Sequence, residues 1–333
     1  MNLMPEKKDD ILPETMVYAV RTKDKEVLQN SSSGGFFTPL SDYFLKQGGA
    51  VACSTYRYET QQMEFVLITN AGERNQARGS KYMQSNPGDI YFRCVTWLEE
   101  NPKRKLLFVG TGCQAAGFQK FMQVKGLEKR TYAVDIICHG VPSPMLWRDY
   151  IQRMEKKYCG RSEGLTFKDK RNGWKRPTAV VNINGSEYSL KEYVKIFYNR
   201  CALRPSCHSC PYAAVERCTD LTMGDYWGIE KVLPDFYDPE GNSLVLIHTG
   251  KGKEIFDAVK AGLDYRESNT LDCLQPNLRE PTAVSEGRDR FWRDYRKNGI
   301  HFIVKKYGTD TFLFKVKRKL KKFRKKYKCF GKK

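Results

Sequence analysis

Four cysteines, Cys201, Cys207, Cys210 and Cys218, fall within one short run, CALRPSCHSCPYAAVERC. Its tightest element, Cys207-His-Ser-Cys210, sets two thiols three positions apart between Pro205 and Pro211. Thiolates at that spacing on a loop could clasp one soft metal ion or two corners of an iron–sulfur cube. A disulfide framework would suit a short secreted chain, whereas here 11 cysteines are spread over 333 residues and MNLMPEKKDD has no apolar signal core. A reduced, cytosolic chain is the expectation. A redox dithiol would open a helix after a strand, but the bracketing prolines read as an irregular loop. Unligated thiols are the third reading. A zinc ribbon would need a second C-x2-C pair about 15 to 20 residues away, and the chain has none.

Two further cysteines are placed suggestively. Cys113 in LLFVGTGCQAAGF and Cys138 in AVDIICHGVPSP each follow a short apolar run that reads as a buried parallel strand leading into a glycine-containing turn. Ligands of open α/β sheets bind beyond the carboxyl ends of the strands, so both thiols are expected at one crevice. Either could equally be a small buried residue. His139 follows directly and could relay a proton or serve only the turn. Asp225 beside Trp227 could line a ring-binding pocket, and a packed indole next to a surface carboxylate is the plainer alternative. Phe167, Lys168, Asp169, Lys170, Gly173 and Trp174 form a polar–aromatic patch that faces either substrate or a hairpin edge.

Two segments suit a phosphate-bearing ligand. Ser31, Ser32, Ser33, Gly34 and Gly35 precede an apolar helical pattern, where small residues would offer backbone N–H groups and the helix dipole to an anion; an ordinary N-cap would look the same. In GSKYMQS, Ser80, Lys81, Tyr82, Gln84 and Ser85 combine hydroxyls, a cation and an aromatic face, a set suited to a dinucleotide or to a solvated loop.

The elements that must position these groups read as α/β with a mixed sheet. Strand-like runs recur at 16–21, 51–56, 65–69, 106–109, 133–137, 179–183 and 244–248, and helical patterns at 39–46, 87–101 and 143–158. Residues 1–255 form one unit with a sub-boundary near 160, followed by a helical extension over 256–310 and a basic amphipathic tail over 311–333. No apolar run is long enough for a spanning helix.

SSSGGFF, GSKYMQS, GTGCQAAGF, DIICHGVPSP, LRPSCHSCPYA and TDLTMGDYWGI occur in that order. From about residue 15 to 255 the chain resembles the coenzyme F420 hydrogenase/dehydrogenase beta-subunit family. The resemblance implies an iron–sulfur flavoprotein oxidoreductase: FAD held by Ser32, Ser33, Gly34, Gly35, Ser80, Lys81, Tyr82, Gln84 and Ser85, and a 4Fe-4S cluster held by Cys113, Cys138, Cys207 and Cys210, with Cys201 the alternative fourth ligand. His139 and Asp225 are the catalytic candidates, and coenzyme F420 or another acceptor is the redox partner. The chain departs from the family where Gly112 replaces a common proline, and no cysteine precedes Cys53, so a ferredoxin module of the kind that opens longer relatives is not seen. An external ferredoxin or other carrier would then supply electrons. The bacterial relatives suggest the competing reading, a non-catalytic accessory of surface-polysaccharide biosynthesis that retains the fold and a metal clasp.

Charge adds a separate clue. Lys plus Arg exceed Asp plus Glu by 20, and residues 301–333 alone carry 14 basic against one acidic residue. The body therefore does not call for nucleic acid. The tail interleaves Phe312, Val316, Leu320, Phe323 and Tyr327 with lysines, the pattern of a basic helix on an anionic membrane, although a solvated terminus would also fit. A cytoplasmic protein, peripheral at the inner face of the membrane, is expected.

Overall fold

A computed structural model describes residues 11–309. The strands are β1 (Ile11–Thr22), β2 (Ala50–Arg57), β3 (Gln62–Ile68), β4 (Ser85–Asn86), β5 (Leu106–Thr111), β6 (Thr131–Ile136), β7 (Ser162–Asp169), β8 (Thr178–Ile183), β9 (Ser186–Ser189), β10 (Leu221–Asp225), β11 (Ser243–Thr249) and β12 (Leu263–Ser268). The helices are α1 (Lys25–Gln29), α2 (Phe37–Lys46), α3 (Ala71–Ala77), α4 (Ile90–Glu100), α5 (Gly112–Val124), α6 (Pro144–Lys157), α7 (Lys191–Tyr198), α8 (Ile229–Val232), α9 (Gly250–Val259), α10 (Pro276–Arg279) and α11 (Arg288–Tyr307).

Nine strands form one mixed sheet in the order β12-β1-β11-β10-β6-β5-β2-β3-β4, and β7-β8-β9 form a second. The centre of the large sheet, β10, β6, β5 and β2, is parallel. Strands β5 and β6 are apolar and buried along almost their whole length because helices cover both faces. On one face Phe36, the N-cap of α2, with Leu40 and Phe44 of α2 and Ile255, Phe256 and Val259 of α9 pack on Val51, Leu107 and Val134. On the other, Cys94 and Leu98 of α4 and Phe118 and Met122 of α5 pack on Ala52 and Phe108. Because β11 runs antiparallel to both β1 and β10, β1 points the same way as the parallel block. The carboxyl ends of β1, β2, β5, β6 and β10 therefore share one edge of the sheet, where such folds place ligands.

A second core sits against that edge. Trp147, Tyr193 and Phe291 from α6, α7 and α11 pack with Phe167 and Val181 of the small sheet, with Met63 of β3 and with Met83 of the loop before β4.

The mixed sheet with flanking helices agrees with the sequence reading, and the expected helices at 39–46, 87–101 and 143–158 correspond to α2, α4 and α6. The cluster-binding loop region included in that fold reading needs correction: among the described residues no group of three or more His, Cys, Asp or Glu side chains is arranged to hold a metal ion. Beyond residue 255 the chain supplies the edge strand β12, paired with β1, as well as helices. The expected basic helix over 311–333 lies outside the described residues.

Candidate functional site at the carboxyl edge of the sheet

The Ser/Gly run after β1 crosses the sheet edge between β1 and β11 and does not cap α2, whose N-cap is Phe36 without a side-chain cap bond. Gly34 accepts from Thr22 N at 2.7 Å and donates to Ser243 Oγ at 2.9 Å. A Cβ at Gly34 would lie 2.4 Å from Val20 O, so only glycine fits this crossing; Gly35 has φ +82°. The hydroxyls of Ser31 and Ser33 donate to Val27 O and Asn242 O. Ser32 differs: its Oγ accepts from Ser80 N at 2.8 Å, which leaves its own O–H to donate. That bond joins the two segments expected to hold a dinucleotide, across 48 residues of sequence.

Lys81 sits otherwise than its position in the motif suggested. Its ammonium donates to the carbonyls of Ala77, Arg78 (3.3 Å) and Gly79 (2.9 Å), at the C-terminal end of α3. Burial lowers its pKa to about 8. Tyr82 stacks on Phe197 at 4.6 Å and receives a hydrogen bond on its carbonyl from Tyr193 Oη. Gln84 is half-buried. Ser85 Oγ meets Ser54 Oγ at 2.6 Å, and its carbonyl accepts from Gln114 Nε2. A cavity of about 330 Å³ opens beside this segment, lined by Tyr56, Arg57, Tyr58, Arg78, Lys81 and Phe167 among others. Arg78 Nη1 is buried there without a hydrogen-bond partner. Arg78 immediately precedes the motif, so its place in sequence was the available signal for a cation that the motif itself did not include.

The polar–aromatic patch continues the site. Lys168 and Asp225 form an ion pair with side-chain exposures of only 5% and 17%. Trp174 Nε1 donates to Asp225 Oδ1 at 2.7 Å, and the Trp174 and Trp227 rings stack 4.9 Å apart and nearly parallel. Lys168 Nζ also lies 5.2 Å from the Trp227 ring, whose outer side is exposed. Lys170 Nζ donates to Leu28 O (2.5 Å), Ser33 O (3.2 Å) and Glu240 O (2.5 Å), tying the end of β7 to the Ser/Gly run. Burial lowers its pKa to about 8. Asp225 is thus engaged by Lys168 and Trp174. His139 lies between the Phe197 and Tyr198 rings on one side and Thr282 on the other, with Thr282 Oγ1 donating to its carbonyl at 2.6 Å. Burial lowers the His139 pKa, which keeps the imidazole neutral near pH 7.

Cys113, Cys138, Cys207 and Cys210 gather at this edge, close enough that, after burial itself, Cys113 and Cys207 act electrostatically to raise the pKa of Cys138 and of Cys210. Cys138 follows β6, Cys113 starts α5, and Cys207 and Cys210 belong to the Pro205–Ser209 turn and the residue after it. The Arg217–Asp135 pair, at 3.1 Å and essentially buried, anchors the cysteine-bearing segment to β6. Burial pushes the Cys138 thiol up to about 12, against a backbone N–H from Gly140, and raises Cys207 and Cys210 as well. Cys113 Sγ is 3.3 Å from Thr111 Oγ1. Cys201 turns into the second core and meets Ser285 Oγ at 3.3 Å. Among the described residues these side chains do not compose a metal-holding group. The expected 4Fe-4S cluster, and the iron–sulfur function and metal binding built on it, are corrected accordingly.

Among the described residues no helix is long and apolar enough to cross a membrane. No curated protein matches the sequence. A chain in a solved structure described as a xenon derivatization of the F420-reducing [NiFe] hydrogenase complex from Methanosarcina barkeri superposes with a TM-score of 0.52. The match covers 92% of each chain at 18% identity, a likeness of fold. Two family models, for the amino-terminal and the carboxyl-terminal parts of the coenzyme F420 hydrogenase/dehydrogenase beta subunit, match residues 17–88 and 103–269 respectively. The second match runs past residue 255 to take in β12, covers half of the chain by itself, and with the first takes in the Ser/Gly run, the GSKYMQS segment and the cysteine-bearing segments, so the chain belongs to the coenzyme F420 hydrogenase/dehydrogenase beta-subunit family.

Proposed function

We propose that the chain is an FAD-linked oxidoreductase whose flavin lies along the carboxyl edge of the large sheet. The observation that carries this reading is the Ser80 N–Ser32 Oγ bond beside the buried, unpartnered Arg78 Nη1. The donor set fits a dinucleotide. Ser32 retains an O–H donor, Arg78 offers a desolvated guanidinium N–H to a phosphate oxygen, and the exposed side of Trp227 offers a ring surface. The cavity is small for a whole dinucleotide and suits its phosphate-bearing part, with the rings along the open edge.

FAD would supply the exchange of paired or single electrons with a partner. The chain's own groups would do the positioning. Arg78 and Ser32 would hold the phosphates, and the Lys168–Asp225–Trp174 array would fix Trp227. Neutral His139, with its buried Nε2 unpartnered, would hold or release a proton at that atom. An iron–sulfur centre has no part in this reading. No observation favours the accessory role in polysaccharide biosynthesis.

Coenzyme F420, named by the family, is the first partner to test. Anaerobic mixing of FAD-loaded protein with reduced F420 should bleach the flavin absorption faster than it bleaches free FAD. Bleaching no faster than free FAD with reduced F420 and with reduced nicotinamide alike would count against the redox reading.

A further inference from the structure

Two groups that face the cavity hang on one short turn. Helix α3 ends at Ala77, Arg78 is extended at its C-cap, and Gly79 takes φ +90°, so the chain reverses before Ser80 N reaches Ser32 Oγ. The Arg78 guanidinium is held through Nη2, which donates to Asn75 Oδ1, and Nη1 is left buried and unpartnered beside the cavity. Where Nη1 and Ser80 N–H point is therefore decided by the peptide units of residues 77–79. Carbonyls at a helix C-terminus lack helical donors and must find others.

Lys81 supplies them. An ammonium has three N–H donors, and here it meets three backbone acceptors, the carbonyls of Ala77, Arg78 (3.3 Å) and Gly79 (2.9 Å). With its donors spent on the backbone, Lys81 has none left for a phosphate oxygen, although it lines the same cavity. Its surroundings do not compete for it. Cys53 of β2 is a neutral thiol, pushed up to about 12 by burial, and burial likewise raises the Tyr56 and Tyr58 phenols. The other cations on the cavity wall are Arg57 and Arg78, and Glu59 is the one acid among the residues lining it.

We infer that Lys81 is a positioning residue for the flavin's phosphates: it does not touch them, and by bonding the carbonyls of residues 77–79 it fixes the turn that presents Arg78 Nη1 and the Ser80–Ser32 pair. This part for Lys81 rests on the flavin reading above, and its place in the GSKYMQS segment does not show it.

The test compares the full-length protein with Lys81→Met, which keeps the length of the side chain and removes its donors. Amide hydrogen exchange of the peptide containing Gly79 and Ser80 is measured first, in flavin-free protein, where a residue that only contacts phosphate has no effect. Exchange there should quicken about tenfold in the variant, with β5 and β6 unchanged. FAD affinity is then titrated by fluorescence from about pH 6.5 to about 9.5. Wild-type affinity should fall on the order of tenfold as the ammonium, whose pKa burial lowers to about 8, loses its proton and with it one donor. Lys81→Met should bind about tenfold more weakly at the lower pH and show a smaller fall. Lys170 titrates in the same range in both proteins, so the difference between the profiles belongs to Lys81. Thermal melting verifies folding, and Lys81→Gln, which keeps two donors, replaces the methionine variant if that one does not fold and should show the same changes at smaller size. Unchanged exchange, with or without weaker binding, would overturn the inference, as would quickened exchange with FAD affinity and its pH profile unaltered. A wild type that binds no FAD at any pH would instead overturn the flavin reading, and this inference with it.

Discussion

Replacing Asp225 by alanine isolates the charge array that fixes the ring-bearing end of the crevice. The carboxylate neutralises Lys168, whose side chain is 5% exposed, and accepts from Trp174 Nε1 at 2.7 Å. Its removal strands a buried ammonium, which costs about 3–5 kcal/mol, and leaves an indole N–H without its acceptor, which adds about 1 kcal/mol. Lys168→Met should cost less, about 1–2 kcal/mol. The surviving carboxylate is more exposed, at 17%, and keeps the Trp174 bond. In the double variant no ammonium is stranded, so its cost should fall short of the sum of the single costs by on the order of 2 kcal/mol. Urea unfolding of the four proteins, followed by tryptophan fluorescence, reads this coupling. Additivity within about 0.5 kcal/mol would refute the account of Asp225 as the counter-charge of the array.

Three further outcomes follow from the same geometry. His248 is buried between Thr222 Oγ1 (2.8 Å) and Thr15 Oγ1 (3.2 Å), and burial lowers its pKa to about 3. Below the ordinary histidine range the unfolded chain binds a proton that the folded chain refuses, so stability should fall as pH drops from about 6.5 towards 3, by up to about 1.4 kcal/mol per pH unit. His248→Gln should flatten that slope in pH-dependent urea unfolding, and an unchanged slope would assign it to other groups. Gly34→Ala drives a Cβ to 2.4 Å from Val20 O and should destabilise by about 3 kcal/mol or more, visible as a lowered Tm, whereas a wild-type Tm would show that the crossing yields. Arg78→Met should weaken FAD binding on the order of tenfold in fluorescence titration, the worth of one charge-assisted bond, and undiminished affinity would move the phosphates elsewhere.

The sheet was legible in the sequence because its central strands are buried on both faces. The short apolar stretches at 106–109 and 133–137 fall on β5 and β6, which are buried along almost their whole length. Strand β12, LDYRES, lies at an edge and is mostly exposed, so no hydrophobic pattern marked it. Strand β10 is short, carries Gly224, and becomes a strand through its two neighbours. The site was partly legible. Motif spacing located the Ser/Gly run and the GSKYMQS segment, yet could not reveal that Ser32 and Ser80 bond each other, nor that Lys81 donates to the end of α3. Those are contacts of tertiary folding. The cysteines show the opposite limit: spacing and strand ends brought the thiols to one edge as expected, but burial and side-chain direction decide what thiols can hold, and neither is written in the spacing.

The central claim is that this edge binds a flavin. Its most direct measurement is the amount of FAD that remains with the full-length protein after incubation with excess FAD and gel filtration, read from the visible spectrum. The account predicts about one FAD per chain. Protein that emerges with no bound flavin would contradict it.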